Sequence, residues 1–223
     1  MPALHAARVS AGSPLHDRHH ARPRRRGRTE PCMIAAPAVF LDRDGTIIDE
    51  VGYLDRPERV ELYPFSIAAI RALNRAGFRV VMVTNQSGIA RGFFDAGVVE
   101  EVHAHIARLL DAGGAHLDAY YYCPHHPHGH VVPFAGACDC RKPARGLVDR
   151  AVRELAVDPA RSFTVGDRWL DVRLAGNVGA RGILVRTGYG RLEETRRPAD
   201  VTVDAVVNNL IEAVGWILAR TRS

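Results

Sequence analysis

Lysine is all but absent from this chain: among 30 basic residues there is one, Lys142, and every other is arginine. Aromatic residues make up 7%, and no series of them is interleaved with the histidines of residues 125–130, as a base-stacking surface would require. Cysteine is scarce too, with four in 223 residues. So few thiols in an intracellular chain read as metal ligands or catalytic groups before disulfides. No uninterrupted apolar run approaches the ~20 residues of a membrane-spanning helix, and the first residues lack the apolar core of a secretory signal. We therefore expect a soluble, cytoplasmic protein that does not engage a membrane.

What is present points to one main domain. With 47% apolar residues the chain has enough to build a substantial core. The formal charge of +5 is confined to residues 1–36, where seven arginines face Asp17 and Glu30; residues 37–223 hold 23 basic and 23 acidic groups. A neutral body argues against nucleic acid as its partner, because affinity for the phosphate backbone needs an excess of basic groups. The leading segment, with ARPRRRGRTEP near its end, has no apolar period and is expected to be a disordered extension. Cys32 there is idle, and Met33, five residues before the first apolar run, is a candidate alternative start.

From residue 38 short apolar runs alternate with amphipathic stretches, the pattern of a parallel sheet covered by helices. Strands are expected at 38–42 (AVFLD), 79–84 (RVVMVT), 117–122 (LDAYYY), 162–167 (SFTVGD) and 180–186 (ARGILVR). The helices expected between them include one with Pro64 in its first turn and Gly77 as its stop, and one opening at Asp95. A further helix, starting at Asp204, closes the chain. The fold class is α/β: an open, doubly wound, Rossmann-like and mainly parallel sheet, whose working groups sit beyond the carboxyl ends of the strands.

Polar motifs fall at those ends. FLDRDGT places Asp42 at the end of the first strand and Asp44 two residues on. Two carboxylates this close imply a cation, a shared proton or both; a plain DRDG surface turn is the bland alternative. VTNQSG ends the second strand with Thr84, Asn85, Gln86, Ser87 and free backbone N–H groups, the donors an anionic phosphoryl group requires. VGDRWLD ends the fourth with Asp167 and, four residues later, Asp171.

Between the third strand and the next helix lies CPHHPHGHVVPFAGACDCRKP, residues 123–143. Cys123, Cys138, Cys140 and one histidine form a common closed set for structural zinc. His125, His126, His128 and His130 all compete for the fourth position on spacing alone. A Cys138–Cys140 disulfide is a poor rival, since such near neighbours pair awkwardly.

FLDRDGT, VTNQSG, the isolated lysine before Pro143 and VGDRWLD, in this order and spacing, resemble the four motifs of haloacid-dehalogenase (HAD) phosphatases over residues 38–190. The resemblance implies Asp42 as nucleophile, Asp44 as general acid and base, and Thr84 and Lys142 as ligands of the transferring phosphoryl group. It implies Mg²⁺ held by Asp42, the Asp44 carbonyl and Asp167, with Asp171 orienting Lys142 or a metal-bound water. A compact ammonium suits that role where a planar guanidinium would need other geometry. YYYCPHHPHG…CDCRKP is similar to the Zn²⁺ loop of the D-glycero-D-manno-heptose 1,7-bisphosphate phosphatase family. That likeness selects His125 as fourth ligand and implies a small phosphorylated sugar as substrate. No insertion large enough for a separate cap domain is evident, so the zinc loop would shape the pocket instead.

By the same resemblance Glu50, Val51, Gly52 and Tyr53 would form a substrate-facing flap, Asn85, Gln86 and Ser87 would line the site, and Arg141 would contact the second phosphate or the sugar. Arg168, placed at the substrate too, stands where the family usually has lysine, and KPARGL replaces the more usual KPxPG. Both departures bear on substrate choice. The expectation is a monomeric Mg²⁺-dependent phosphatase removing the 7-phosphate of the heptose bisphosphate. Hydrolysis of histidinol phosphate or another small sugar phosphate is the runner-up, and a nucleic-acid 3′-phosphatase the reading from a different class.

Overall fold

A computed structural model describes residues 35–221, which fall in one compact unit. The expected disordered extension up to residue 34, with Cys32 and Met33, lies outside the described residues. Ala36 already belongs to the body: its N–H donates to Ala156 O at 2.9 Å, and its carbonyl accepts from Asp158 N at 2.9 Å.

Six strands form one parallel sheet: β1 (Ala38–Leu41), β2 (Arg79–Asn85), β3 (Ala119–Cys123), β4 (Phe163–Gly166), β5 (Arg181–Val185) and β6 (Ala205–Val207), in the order β3-β2-β1-β4-β5-β6. Every residue of β1 and β4 is buried, as expected for central strands covered on both faces, which read as unbroken apolar runs. Successive side chains of a strand point to opposite faces. Thus Val39 and Leu41 pack with Ile70 and Leu73 of α1 (Ser66–Arg75), Val102, Ile106 and Leu110 of α3 (Ala96–Ala112), and Val214 and Ile217 of α7 (Leu210–Thr221). Phe40 faces the other layer, with Leu147, Val148 and Ala151 of α4 (Gly146–Leu155) and Leu174 and Val178 of α5 (Trp169–Val178). Two short helices, α2 (Gly88–Arg91) and α6 (Gly190–Glu194), edge the carboxyl side of the sheet.

The expected elements hold with three corrections, the first that β3 starts at Ala119 rather than 117 and runs on to Cys123. Helix α1 starts at Ser66, two residues beyond Pro64. The final helix does not start at Asp204: Ala205–Val207 pairs with Ile183–Val185 as the sixth strand, and the helix begins only at Leu210. The β-branched pair Val206–Val207 suits a strand, and the open edge of β5 supplies hydrogen bonds that no local helical period reveals. Asp95 caps α3 as expected, its Oδ1 accepting from Val98 N at 3.1 Å.

The strand order decides where the site forms. After β1, β2 and β3 are laid down to one side, the chain crosses to add β4 on the other side of β1. The ends of β2, β1 and β4 therefore stand side by side, with a crevice at the point of reversal.

Candidate active site

Asp42 follows β1, Thr84 is the penultimate residue of β2 and Asp167 follows β4, so three adjacent strands deliver a carboxylate, a hydroxyl and a second carboxylate to one edge. The fourth group arrives from the long loop after β3. Lys142 is buried, and its ammonium reaches Val83 O at 2.8 Å, Asp42 Oδ1 at 2.9 Å and Asp171 Oδ1 at 2.6 Å. Burial works to lower its pKa, but Asp171 and Asp42 outweigh burial and hold the ammonium charged.

Asp42 is oriented through one oxygen. Its Oδ1 accepts from Arg43 N at 2.7 Å and faces Lys142 Nζ, while Oδ2 has no hydrogen-bond donor among the described residues. Asp167 is buried against Gly45 and Gly188, both at positive φ; a Cβ on either would collide with its carboxylate. Tyr189 N donates to Asp167 Oδ2 at 2.7 Å. Oxygens of Asp42, Asp167 and Asp171 lie within 4.8 Å of one another. Burial, then Asp42 and Asp171, push Asp167 up to about 8; burial raises Asp171 to about 7 despite its lysine. A crowded, buried, oxygen-only acidic group of this kind has the donor chemistry of a hard divalent cation.

Asp44 is held by Arg43 and by Gln86, whose Nε2 donates to Asp44 Oδ2 at 3.0 Å and to Thr84 Oγ1 at 2.9 Å. Asn85 uses its amide on the Lys142 main chain. These groups open into a cleft of about 390 Å³. Glu50, Gly52, Tyr53, Ser87, Arg141 and Arg168 also line it. Val51 does not: its side chain turns inward and packs on the core. Burial, then the charge of Asp44, raises the pKa of Glu50, which accepts from Gly52 N at 2.7 Å. The Arg168 guanidinium lies 4.0 Å from the Tyr189 ring centroid, and Arg141 donates to His125 O at 3.1 Å.

On the flank of the cleft the thiols converge. Cys123 Sγ is 3.1 Å from Cys140 Sγ and 3.5 Å from Cys138 Sγ; the remaining pair is 3.4 Å apart, and His125 Nδ1 lies 3.4 Å from Cys140 Sγ. His125 is the imidazole in this cluster. His126 instead faces the cleft, its Nε2 3.2 Å from Arg91 Nη2 and its Nδ1 accepting from His128 N. The hydrogen bond between Cys123 and Cys140 raises the first thiol and lowers the second to about 6.

Sequence reasoning did not find Arg43, His103, Arg91 or Tyr189 as site neighbours, and weighed His126 only as a zinc ligand. The available signal was weakest for Arg43, which in DRDG reads as a solvent-facing turn residue. For His103 there was one: it falls on the apolar stripe of α3 with Val99, Val102 and Ile106.

The sequence matches two family models, one described as HAD-hydrolase-like over residues 139–213 and one as polynucleotide kinase 3 phosphatase over residues 38–173. Fold, strand-end groups and these matches make the chain a HAD-like phosphatase. Curated relatives narrow this. D-glycero-beta-D-manno-heptose-1,7-bisphosphate 7-phosphatase of Yersinia pestis is 40% identical over 83% of this chain and 97% of its own length. The enzyme of the same name from Escherichia coli K12 is 42% identical over 78% of this chain and 92% of its own. The D,D-heptose 1,7-bisphosphate phosphatase of B. bronchiseptica, solved with magnesium and phosphate, superposes with a TM-score of 0.73 at 32% identity, covering 83% of this chain and 99% of that one. The chain belongs to the heptose-1,7-bisphosphate 7-phosphatase family.

Proposed function

We propose that this protein hydrolyses the 7-phosphate of D-glycero-D-manno-heptose 1,7-bisphosphate through a phosphate ester on Asp42. The observation that carries the reading is the convergence of Asp42, Lys142 and Asp167 on one cleft from three separate parts of the chain. Asp42 Oδ2, the oxygen without a donor, attacks phosphorus and displaces the sugar oxygen, dividing a slow hydrolysis into two easier displacements. Asp44 gives its proton to the departing oxygen and then accepts one from the water that releases phosphate. Thr84 Oγ1 and Lys142 Nζ bind the equatorial oxygens, where charge spreads in the transition state.

The acidic group of Asp42, Asp167 and Asp171 fits Mg²⁺; Asp42, Asp167 and the Asp44 carbonyl would hold it, with Asp171 beside them. Bound there, the ion offsets repulsion between the carboxylates and the phosphate. The thiol group fits Zn²⁺: its sulfur spacings of 3.1 to 3.5 Å approach the roughly 3.8 Å edge of a tetrahedron with Zn–S near 2.3 Å. Cys123, His125, Cys138 and Cys140 would hold it, tying down the loop that ends in Arg141 and Lys142. Arg141, Arg168, Ser87 and the flap residues Glu50, Gly52 and Tyr53 then meet the remainder of the sugar bisphosphate.

The small-molecule reading is preferred to polynucleotide 3′-phosphate hydrolysis because residues 37–223 carry equal numbers of acidic and basic groups. We place the enzyme in the cytoplasm as a monomer; no helix among the described residues is long and apolar enough to cross a membrane. The test is turnover of both anomers of the heptose bisphosphate, histidinol phosphate and a 3′-phosphorylated oligonucleotide, assayed together with Asp42→Asn. Preference for either of the last two substrates ends the heptose assignment, and activity near wild type in Asp42→Asn ends the nucleophile assignment.

A further inference from the structure

Arg43 sits between the two carboxylates of the FLDRDGT turn, yet it is 1% exposed and points into the protein. Burying a guanidinium is costly unless its donors are matched, and here all three nitrogens have partners, which take four of the five N–H groups. Nε donates to both oxygens of Asp44 at 3.1 Å, and Nη2 donates to Asp44 Oδ1 at 2.9 Å and to Gln86 Oε1 at 3.0 Å. Nη1 faces Nε2 of His103 at 3.3 Å. Gln86 closes the ring by donating to Asp44 Oδ2 and Thr84 Oγ1.

His103 holds the far end of this arrangement. It is fully buried on α3, with the edges of its contacts formed by Tyr120 and Tyr122 at centroid distances of 5.0 and 5.7 Å. Burial, then the charge of Arg43, keeps the imidazole neutral. A neutral ring that accepts at Nε2 carries its proton on Nδ1, and Nδ1 has no partner among the described residues. A buried histidine with an unmatched nitrogen, aimed at an arginine, does little for the core by itself. Its effect is to fix the far end of the guanidinium.

We infer that Arg43, fixed by His103 and Gln86, is the positioning residue that aims Asp44 in both proton transfers. The inference rests on the acid–base reading of Asp44 given above. In the first transfer the bond from phosphorus to the sugar oxygen breaks, that oxygen takes the Asp44 proton, and Asp44 is left as a carboxylate beside a fixed cation. In the second, this carboxylate takes a proton from water, the water oxygen bonds to phosphorus, and the bond to Asp42 breaks. Three N–H donors hold Asp44 throughout, while 16% of its side chain stays open on the cleft.

The test uses leaving groups. An alkyl phosphate needs its departing oxygen protonated, whereas a nitrophenyl phosphate does not. In Arg43→Met we expect kcat for the sugar phosphate to fall roughly 10²-fold with KM within about threefold. On nitrophenyl phosphate the same variant should show a burst of nitrophenolate followed by slow turnover, because the ester on Asp42 forms normally and its hydrolysis lags. His103→Leu should show the same pattern at roughly a tenth of the effect, and it carries the test if Arg43→Met does not fold. Equal losses on both substrates without a burst, or a change confined to KM, would overturn the inference. Asp44→Asn separates the two levels: if it lacks the leaving-group signature the acid–base reading itself fails, and if it alone has the signature only the role of Arg43 fails.

Discussion

Asn85 and Lys142, 57 positions apart, are bound to each other twice: Lys142 N donates to Asn85 Oδ1 at 2.9 Å, and Asn85 Nδ2 donates to Lys142 O at 3.2 Å. The end of β2 thereby fixes the main chain of the loop that supplies the cleft's ammonium. Asn85 thus holds the Lys142 main chain in place, and its side chain also lines the cleft.

Replacing it by a residue of similar size without the amide should loosen that loop. Asn85→Leu leaves two main-chain groups of Lys142 unmatched. The expected cost is about 1–3 kcal/mol of stability, read from denaturant midpoints. Turnover is expected to fall by roughly 10²-fold, because a misplaced binding group is punished steeply.

Lys142→Arg tests whether the ammonium is needed as such. The Lys142 ammonium donates to Val83 O at 2.8 Å and pairs with Asp42 Oδ1 at 2.9 Å and Asp171 Oδ1 at 2.6 Å in a buried site, a compact arrangement that a planar fork cannot reproduce. Overpacking should cost about 1–3 kcal/mol, and kcat/KM should fall by at least about 10²-fold. Near-native kinetics in a chain that otherwise uses arginine throughout would show that this position needs only a positive charge.

Magnesium and pH should be linked. In the metal-free protein Asp167 is raised to about 8 and Asp171 to about 7, chiefly by burial. Both groups bind protons more tightly folded than unfolded, so metal-free stability should decline as pH rises from about 4 through 8. The cation binds the deprotonated acids, so the rise in melting temperature on adding Mg²⁺ should be small at pH 5.5 and large at pH 8.5. A shift of the same size at both pH values would contradict the coupling.

The thiol cluster should hold one zinc per chain. Elemental analysis of Cys138→Ser should show the ion lost or weakly held, with a penalty of about 2 kcal/mol or more, some 4–8 °C in melting temperature at this size. Substrate affinity should suffer with it, since Arg141 is hydrogen-bonded to His125 O. A variant that keeps both its melting temperature and its KM would remove the loop from the account.

Much of the site was legible because a strand's carboxyl end marks itself: an apolar run stops and polar residues follow. Asp42, Thr84 and Asp167 were found that way. Lys142 was found by rarity, and the thiols by spacing. Arg43 was not found, because a charged residue in an Asp-rich turn looks exposed and its partners, Gln86 and His103, lie 43 and 60 positions away. The inward turn of Val51 was equally invisible, since neighbouring flap residues face the cleft. So was β6, three residues long, whose strand state depends on the edge of β5.

Local chemistry in the sequence was enough to determine the layered α/β class, the polar residues that follow the first, second and fourth strands and the three clustered thiols, because each is a matter of periodicity or close spacing; that Asp167 joins Asp42 at a cation was implied only by the family resemblance. Only the tertiary structure decided which oxygen of Asp42 is free, that His126 turns to the cleft while His125 joins the thiols as the resemblance implied, and that Arg43 turns inward onto Asp44. Those outcomes depend on contacts between segments far apart in the chain, where the cost of burying a charge is settled by partners that no local pattern reveals.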